Sequence, residues 1–234
     1  MPLTAVILAG GLGTRLRSVV PDLPKPMAPV AGRPFLEYLM DYWVAQGVSN
    51  FVLSVGYRKE AIIDHFGDAY RAIPVSYAIE QEPLGTGGGL LLAAQGLSET
   101  FLVLNGDTFF DVNLNQLEKF HKSRKSDWTF ALFRSTDTSR FMGMSLNANQ
   151  EITSLRVSAG EGDCLVNGGV YLVEPASLMT ARLERDQKLS LEEELLPKLR
   201  STGKRLFGLE LTGDFLDIGL PRDYSRAADF LSGK

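Results

Sequence analysis

Hydrophobic positions in the first half of the chain alternate between short apolar runs and longer stretches with helical spacing. Apolar runs of five residues or so indicate buried strands, and apolar positions three to four apart indicate helices. The predicted strands are Thr4–Leu8, Phe51–Val55, Val75–Ile79 and Phe101–Leu104, and the predicted helices are Leu36–Ala45, Lys59–Phe66, Leu90–Gln95 and Leu114–Lys122. Because strands and helices take turns, the pattern predicts an α/β fold with a doubly wound parallel sheet and helices on both faces.

The pattern changes in the second half, where strand-like runs follow one another with turns between them. The predicted strands are Trp128–Phe133, Met142–Leu146, Ile152–Val157, Leu165–Val173 and Leu206–Leu211, and the predicted helices are Pro175–Ala181, Leu191–Leu199 and Arg222–Leu231. This order predicts a small mixed or antiparallel extension of the sheet. With no repeat and no low-complexity linker, we predict a single domain over residues 1–234.

A glycine-rich loop follows the first predicted strand. Gly10, Gly11 and Gly13 let backbone N–H groups come close to a ligand, and Arg15 adds positive charge beside them. This combination favours an anion, most plausibly a polyphosphate. Lys25 follows between two prolines that restrict the backbone and aim its side chain. The alternative for the loop is a glycine-rich turn that binds nothing.

Two familiar phosphate-binding motifs do not fit this loop. A mononucleotide P-loop needs a Gly-Lys pair followed by Ser or Thr, which the sequence lacks. A dinucleotide fingerprint needs a third glycine or alanine where Leu16 stands, and an acid after the second strand, where Gly56, Tyr57 and Arg58 stand instead. The loop therefore disfavours NAD binding.

Composition narrows the function classes further. The chain has 234 residues, 44% of them hydrophobic, which suffices for a packed core. A net charge of −4 argues against a nucleic-acid partner held by broad positive potential. The one cysteine, Cys164, excludes an internal disulfide and a zinc site built from several thiolates, and we expect it buried or half-buried. No apolar run reaches the ~20 residues of a membrane helix or resembles a signal peptide, so we expect no membrane partner and a cytoplasmic location.

Five motifs in order along nearly the whole chain resemble one enzyme family. They are Gly10-Gly11-Leu12-Gly13-Thr14-Arg15-Leu16 with Lys25-Pro26, Glu82-Pro83-Leu84-Gly85-Thr86-Gly87-Gly88, Asn105-Gly106-Asp107, Val166-Asn167-Gly168-Gly169 and Asp217-Ile218-Gly219. This series resembles the sugar-1-phosphate nucleotidyltransferases. The resemblance implies a Rossmann-like fold and the transfer of a nucleotidyl group from a nucleoside triphosphate to a sugar 1-phosphate, with release of pyrophosphate. It also assigns residues 1–110 mainly to the nucleotide and residues 111–234 mainly to the sugar phosphate.

The resemblance implies roles for individual residues. Arg15 and Lys25 are the candidate catalytic cations, and Asp107 and Asp217 are the candidate ligands of Mg²⁺, which prefers oxygen donors. The candidate nucleotide-binding residues are Leu8, Ala9, Gly10, Gly11, Gly13, Thr14, Gln81, Gly85, Thr86 and Asp107. The free N–H groups at the helix that opens at Gly85 are expected to face base and ribose. The alternatives are that Arg15 and Lys25 are solvated loop residues, that Asp107 only stabilises a turn, and that Gly88 and Gly89 only permit close packing.

The sugar side carries one departure from the family pattern. The candidate sugar-phosphate residues are Gly143, Arg156, Asn167 and Gly168, with a β-bulge as the alternative for Gly143. Many members carry a Glu-Lys-Pro triplet after the strand that corresponds to Ile152–Leu155, with the acid on the sugar and the lysine on its phosphate. Here the sequence reads Arg156-Val157-Ser158. Arg156 is therefore the candidate replacement for the lost charge.

Within the family, the motifs most resemble the heptose 1-phosphate guanylyltransferases, which favours GTP as the nucleotide substrate. The alternatives are a uridylyl- or thymidylyltransferase on another sugar 1-phosphate, and a non-catalytic domain that senses nucleotide sugars. Oligomeric state is left open, and a homo-oligomer is compatible with the sequence.

Four further predictions concern charged or titratable residues. We expect His65 and His121 to be surface or packing residues and Asp111 to be solvated. The run Glu192–Glu194 is expected to start a helix, where the dipole favours acids, and one of the three is a candidate contact to the sugar.

Overall fold

The computed structural model describes residues 2–11, 16, 19–135, 137, 143–157, 163–179 and 187–233, without the side chains of 156 and 157. Its strands are β1 Leu3–Leu8, β2 Pro29–Val30, β3 Arg33–Pro34, β4 Val48–Val55, β5 Ala69–Tyr70, β6 Ile73–Ile79, β7 Phe101–Asn105, β8 Thr108–Phe110, β9 Trp128–Ser135, β10 Gly143–Leu146, β11 Ile152–Val157, β12 Cys164–Val173, β13 Leu206–Glu210 and β14 Phe215–Asp217. Its helices are α1 Phe35–Ala45, α2 Lys59–Phe66, α3 Gly85–Ala93, α4 Leu114–Arg124, α5 Pro175–Met179, α6 Leu196–Ser201, α7 Pro221–Tyr224 and α8 Ala227–Leu231. A short 3₁₀ turn spans Lys25–Met27, and a π turn over Leu191–Leu195 leads into α6.

Four parallel strands form the centre of the sheet, in the order β7, β1, β4, β6. Strand β1 is buried on both faces: Ala5 and Ile7 pack into one core cluster with α1, while Val6 packs into a second cluster with Leu90 of α3. Burial of both faces explains why this strand is a continuous apolar run rather than an alternating one. The predicted Rossmann-like, doubly wound arrangement is confirmed.

The second half of the chain extends this sheet with strands of mixed direction. Strand β12 runs antiparallel to β7 and also pairs with β9 and β10, while β13 lies parallel to β9 and β11 antiparallel to β10. The predicted mixed extension is thereby confirmed. Cys164, at the start of β12, is half-buried and free, as expected.

Several elements differ from the prediction, among them the two-residue strands β2, β3 and β5, which were not predicted. Strands β8 and β14 were not predicted; they pair with each other antiparallel, outside the main sheet, and each has three residues, too few to show a periodic pattern. The predicted helix Arg222–Leu231 is instead the two short helices α7 and α8, since Arg226 takes φ −100° and ψ 0° between them. Along the described residues, no helix combines the length and apolar content that a bilayer crossing requires.

Candidate active site

Loops at the carboxyl ends of the parallel strands surround a cavity of about 740 Å³. Ligands of open α/β sheets bind at this edge because the chain turns away from the sheet there. Besides apolar side chains, the lining has polar groups from many segments: Gly10, Gly11, Lys25, Ser54, Glu80, Gly85, Thr86, Asn105, Asp107, Thr108, Asn167, Lys188, Glu192 and Asp217. All five predicted motifs therefore contribute to the lining in part, and the first does so through its two leading glycines, Lys25 and Pro26.

The glycine-rich loop begins with two glycines that serve different purposes. A Cβ on Gly10 would lie 2.4 Å from Oε1 of Glu80, so a side chain at this position would displace the carboxylate. Gly11 is exposed and has nothing within 4 Å of the same position, which leaves its backbone open to a ligand. Leu8 and Ala9, two of the candidate nucleotide-binding residues, also line the cavity. Gly13, Thr14 and Arg15 lie outside the described residues.

Lys25 and the two aspartates lie together on one side of the cavity. The Lys25 ammonium donates to Oδ2 of Asp107 at 2.7 Å, and the two side chains are 11% and 32% exposed. A Cβ on Gly219 would lie 2.9 Å from Nζ of Lys25 and 2.6 Å from Oδ1 of Asp217, so the ammonium also lies beside the second aspartate. Among the residues predicted for phosphate and metal, the structure thus brings Lys25, Asp107 and Asp217 together.

Short local elements hold these three side chains in place. Strand β14 pairs with β8 so that Asp217 lies opposite Thr108, and the Ile218 N–H donates to the backbone oxygen of Asp107 at 3.1 Å. The N–H of Gly219 donates to Oδ1 of Asp217 at 2.6 Å. On the other side, a Cβ on Gly106 would lie 2.7 Å from the Leu8 carbonyl oxygen, so this glycine lets the Asp107 turn pack on the end of β1.

The pair of aspartates fits a magnesium ion. Magnesium commonly takes one or two protein carboxylates and completes its octahedron with water and substrate phosphates. No group of three or more His, Cys, Asp or Glu side chains suited to a metal occurs among the described residues. Two carboxylates are a donor set that suits an ion whose remaining ligands are water and a phosphate substrate.

The glycines of α3 mainly permit close packing. The N–H groups of Gly87 and Gly88 donate to the Leu189 carbonyl at 2.8 and 3.2 Å, so the protein already uses two of the expected free donors. A Cβ on Gly89 would meet Oγ of Ser54 at 2.7 Å. Gly85 has φ +72° and would bring a Cβ to 2.7 Å from the same Leu189 oxygen. Of the predicted group, Gly85 and Thr86 line the cavity, while Gly87 and Gly88 bind a neighbouring chain segment.

Glu80 lines the cavity and was missed by the sequence analysis, which named its neighbour Gln81. Gln81 is exposed and does not contribute to the cavity. The Glu80 N–H donates to the Val55 carbonyl at 2.9 Å, which extends the hydrogen bonding between β6 and β4 by one residue. Glu80 therefore stands at the end of β6. Its Oε2 accepts from the Leu84 N–H at 2.8 Å and its Oε1 from the Ser54 hydroxyl at 3.3 Å. Burial raises the pKa of Glu80 above its ordinary value. The sequence signal that could have identified Glu80 is its position immediately after the predicted strand Val75–Ile79.

Asn167, a candidate for contact with the sugar, lines the cavity, and its amide is held in one orientation. Its Oδ1 accepts from the Gly169 N–H at 3.0 Å, and its Nδ2 donates to the Tyr171 hydroxyl at 2.6 Å. A Cβ on Gly168 would lie 2.3 Å from the Phe110 ring. Gly168 is buried and outside the lining, which indicates a packing role, and its contact to the sugar stays a prediction.

Gly143 and Arg156 complete the predicted sugar-phosphate group. Gly143 is buried at the start of β10 and is not part of the lining, whereas the next residue, Met144, is. The register of β10 against β11 shifts after Gly143, in keeping with the bulge alternative. The backbone of Arg156 belongs to β11, and its side chain lies outside the described part of the chain.

Three other predictions concern residues that do not line the cavity. His121 is buried and bonded to Thr129 and Glu174, and His65 pairs with Glu37, so both are packing or surface residues as expected. The expectation that Asp111 is solvated was wrong: it is half-buried and accepts from the Tyr42 hydroxyl at 2.8 Å. The reason is that the turn after β8 packs against α1 instead of projecting into water.

Comparison with known proteins agrees with this geometry. The model of the family described as nucleotidyl transferase matches residues 4–233, and the chain therefore belongs to that family and is a nucleotidyltransferase. It is 39% identical over 224 residues to the D-glycero-alpha-D-manno-heptose 1-phosphate guanylyltransferase of Aneurinibacillus thermoaerophilus, covering 95% of this chain and 96% of that one. It is 37% identical to the protein of the same name from Campylobacter jejuni, over 94% and 96% of the two chains. The crystal structure of HddC from Yersinia pseudotuberculosis complexed with GMP-PN has 33% identity and a TM-score of 0.85, over 98% of this chain and all of that one.

Proposed function

We propose that the protein transfers a GMP group from GTP to D-glycero-α-D-manno-heptose 1-phosphate, forming GDP-heptose and pyrophosphate. The observation that carries the choice of substrates is the identity of 37–39% to two guanylyltransferases of this name over nearly their whole length. Lys25, Asp107 and Asp217 in one cavity support catalysis over the alternative of a nucleotide-sugar sensor, which would not need them.

The reaction joins two anions, so the protein must offset their repulsion and orient them. The sugar phosphate oxygen attacks the α-phosphorus of the triphosphate, the new P–O bond forms, and the bond to the β-phosphate oxygen breaks with its electron pair leaving on pyrophosphate. No covalent bond to the protein is required, and positioning with electrostatic stabilisation supplies the acceleration. In this proposal Lys25 places its charge on the reacting phosphates, Arg15 grips the triphosphate, and the Gly10–Gly11 backbone lies beneath it.

We propose Mg²⁺ as the cofactor held by Asp107 and Asp217. When bound, the ion would neutralise phosphate charge and align the α-phosphate with the attacking oxygen. We assign residues 1–110 mainly to the nucleotide and 111–234 mainly to the sugar phosphate within a single domain. A cytoplasmic location follows from the supply of nucleoside triphosphates there.

A substrate panel tests the proposal directly. Pyrophosphate release is measured with GTP, UTP, dTTP, CTP and ATP, each against heptose, mannose, glucose and N-acetylmuramate 1-phosphates. We expect the highest kcat/KM for GTP with the heptose phosphate. A higher value for UTP or dTTP with another sugar would replace the proposed substrates, and nucleotide-sugar binding without turnover on any pair would favour the sensor.

Glu80 provides a structural reason for guanine. Guanine presents two neighbouring donors, N1–H and the 2-amino group, and a carboxylate accepts from both. Each Glu80 oxygen has one protein donor and retains a further lone pair. We therefore place the guanine edge against Glu80, with Gly85 on the nucleoside.

The matching prediction uses the Glu80→Gln variant. We expect kcat/KM for GTP to fall by roughly 10- to 150-fold, the range of one hydrogen bond to a charged group. ITP lacks the 2-amino group, and the ratio of kcat/KM for GTP to kcat/KM for ITP should fall by a similar factor in the variant. Glu82→Gln, an exposed neighbour, is the matched control. If Glu80→Gln slows GTP and ITP equally, Glu80 supports the loop without reading the base.

A further inference from the structure

Strands β8 and β14 form a two-stranded ribbon outside the main sheet, the β8–β14 ribbon, which has both candidate metal ligands at one end. Asp217 is the last residue of β14 and lies opposite Thr108, which directly follows Asp107 in the chain. Each strand has only three residues. A two-stranded ribbon of this length is at best marginally stable by itself, so the elements that it packs against must set its position.

The other end of the ribbon is bonded to helix α1. The Asp111 N–H donates to the Asp214 carbonyl at 2.9 Å, which joins the two chains of the ribbon at this end. Oδ1 of Asp111 accepts from the hydroxyl of Tyr42 on α1 at 2.8 Å, and that hydroxyl also lies 2.9 Å from the Val112 carbonyl oxygen. Gln46, which caps α1 one turn later, donates to the same carbonyl at 2.8 Å. Two side chains of one helix face therefore hold this end of the ribbon.

Helix α1 is a firm support for these contacts. Its inner face, which includes Trp43, is buried in the core. The ring of Tyr42 packs edge-on against Phe109 in the middle of β8, with ring centroids 4.8 Å apart. A Cβ on Gly213 would overlap the carbonyl oxygen of Asp111, so glycine lets the chain before β14 press against the end of β8. Sliding of the ribbon along α1 would therefore break both the ring contact and the hydrogen bond.

The hydrogen bond between Tyr42 and Asp111 acts at a distance from the cavity. Neither residue lines the cavity, and both are half-buried. Burial and, to a smaller extent, the Asp111 carboxylate raise the pKa of Tyr42, so the hydroxyl keeps its proton and remains a donor at neutral pH. Asp107 precedes Asp111 by four residues, which span at most about 14 Å of extended chain. A shift at the Tyr42 end of so short a ribbon is thus felt at the carboxylates.

We propose that Tyr42 positions the metal site: its hydrogen bond to Asp111 fixes the β8–β14 ribbon on α1, and the fixed ribbon sets the spacing of the two carboxylates at its other end. This spacing matters because Mg²⁺ demands near-ideal octahedral geometry and the carboxylates come from different strands. The bond acts through the backbone and touches no substrate. The inference rests on the proposed function only in that Asp107 and Asp217 hold Mg²⁺, and it does not depend on which base or sugar is the substrate.

The test compares Tyr42→Phe with Tyr70→Phe. The first change removes the hydroxyl and keeps the ring on Phe109. The second is the matched control, because the Tyr70 hydroxyl donates at 2.7 Å to a different aspartate of α1, Asp41. In Tyr42→Phe we expect the Mg²⁺ concentration for half-maximal pyrophosphate release to rise about 5-fold, below the 10- to 100-fold typical of a residue bonded directly to a metal ligand. Its kcat at saturating Mg²⁺ should stay within about twofold of the parent value, since mass action refills the site.

Two further measurements need no turnover. The Kd for Mn²⁺, followed by electron paramagnetic resonance of the free ion without substrates, should rise by a similar factor in Tyr42→Phe and stay unchanged in Tyr70→Phe. Hydrogen exchange should become faster in Tyr42→Phe at the N–H groups of Asp111 and Ile218, which the ribbon bonds to Asp214 and Asp107. Exchange in β1 should not change. Lower thermal stability with unchanged Mg²⁺ requirement and Mn²⁺ affinity would leave Tyr42 a purely structural role and overturn the proposal. An equal loss of metal affinity in Tyr70→Phe would overturn it too, since any loosening of α1 would then suffice.

A second arm removes the same bond from its other partner and applies whether or not Tyr42→Phe folds. Asp111→Ala should reproduce the loss of Mn²⁺ affinity, and Asp111→Asn, which keeps an acceptor oxygen, should lie closer to the parent. Adding Tyr42→Phe to Asp111→Ala should cause almost no further loss, because both changes break one interaction. Unchanged Mn²⁺ affinity in Asp111→Ala overturns the proposal. If Asp107→Asn raises the Mg²⁺ requirement and neither change at this bond does, the inference alone fails; if Asp107→Asn has no effect either, the proposed metal site fails with it.

Discussion

Replacing Asp107 by asparagine is expected to lower metal-dependent turnover by about 1,000-fold or more, with the fold intact. A metal ion on transferring phosphates contributes several kcal/mol to transition-state stabilisation, and each 1.36 kcal/mol is a factor of ten in rate. Asparagine keeps the shape of the side chain and removes the charge that holds the ion. Because Asp107 is 32% exposed and contributes no apolar surface to the core, thermal unfolding should change little.

The measurement is pyrophosphate release as a function of Mg²⁺ concentration, with calorimetry to follow unfolding. Asp217→Asn should have a similar effect, and both variants should need more Mg²⁺ to reach half of their maximal rate. Asp214→Asn, an exposed carboxylate on the same segment as Asp217, is the matched control. Turnover near the parent value in Asp107→Asn at low Mg²⁺ would contradict the metal role for this residue.

Much of the fold follows from local pattern, because the inner parallel strands β1, β4 and β7 are largely buried on both faces and form nearly uninterrupted apolar runs. Strand β1 is an example of such a run. Helix α1 follows from local pattern in a different way, through the helical spacing of its apolar positions. Strands β8 and β14 could not be predicted, since three residues carry no period and their pairing joins segments that are about a hundred residues apart in the chain. These two strands carry or adjoin both aspartates. The family resemblance therefore placed Asp107 and Asp217 in one site before any pattern could explain how they meet.

The inward-facing glutamates show a different limit of sequence reasoning. Glu80 and Gln81 differ by one position at the end of β6, and a shift of one residue at a strand end exchanges the side chain that faces the ligand. Among Glu192–Glu194, the choice depends on where Ser190 caps the turn and on how Gly87 and Gly88 hold Leu189. Both outcomes are decided by contacts between distant segments, which composition and spacing do not encode.

Replacing Lys25 by alanine is expected to lower kcat by about 100-fold or more, with KM for both substrates nearly unchanged. The side chain is only 11% exposed and its ammonium lies beside both aspartates, so in the proposed reaction its charge acts where negative charge develops on the phosphates. An interaction that strengthens in the transition state affects kcat, whereas one made equally with bound substrate affects KM alone.

Saturation kinetics with both substrates distinguish these cases, and Lys122→Ala, an exposed lysine on α4, is the control for a general loss of positive charge. Lys25 could instead act only by orienting Asp107, to which it donates at 2.7 Å. In that case Lys25→Ala should weaken Mg²⁺ binding only, and its kcat should return to nearly the parent value at high Mg²⁺. If its kcat stays about 100-fold low at saturating Mg²⁺, the ammonium acts on the phosphates themselves. A change confined to KM would restrict Lys25 to ground-state binding, and the rate acceleration would then have to come from the metal and from Arg15.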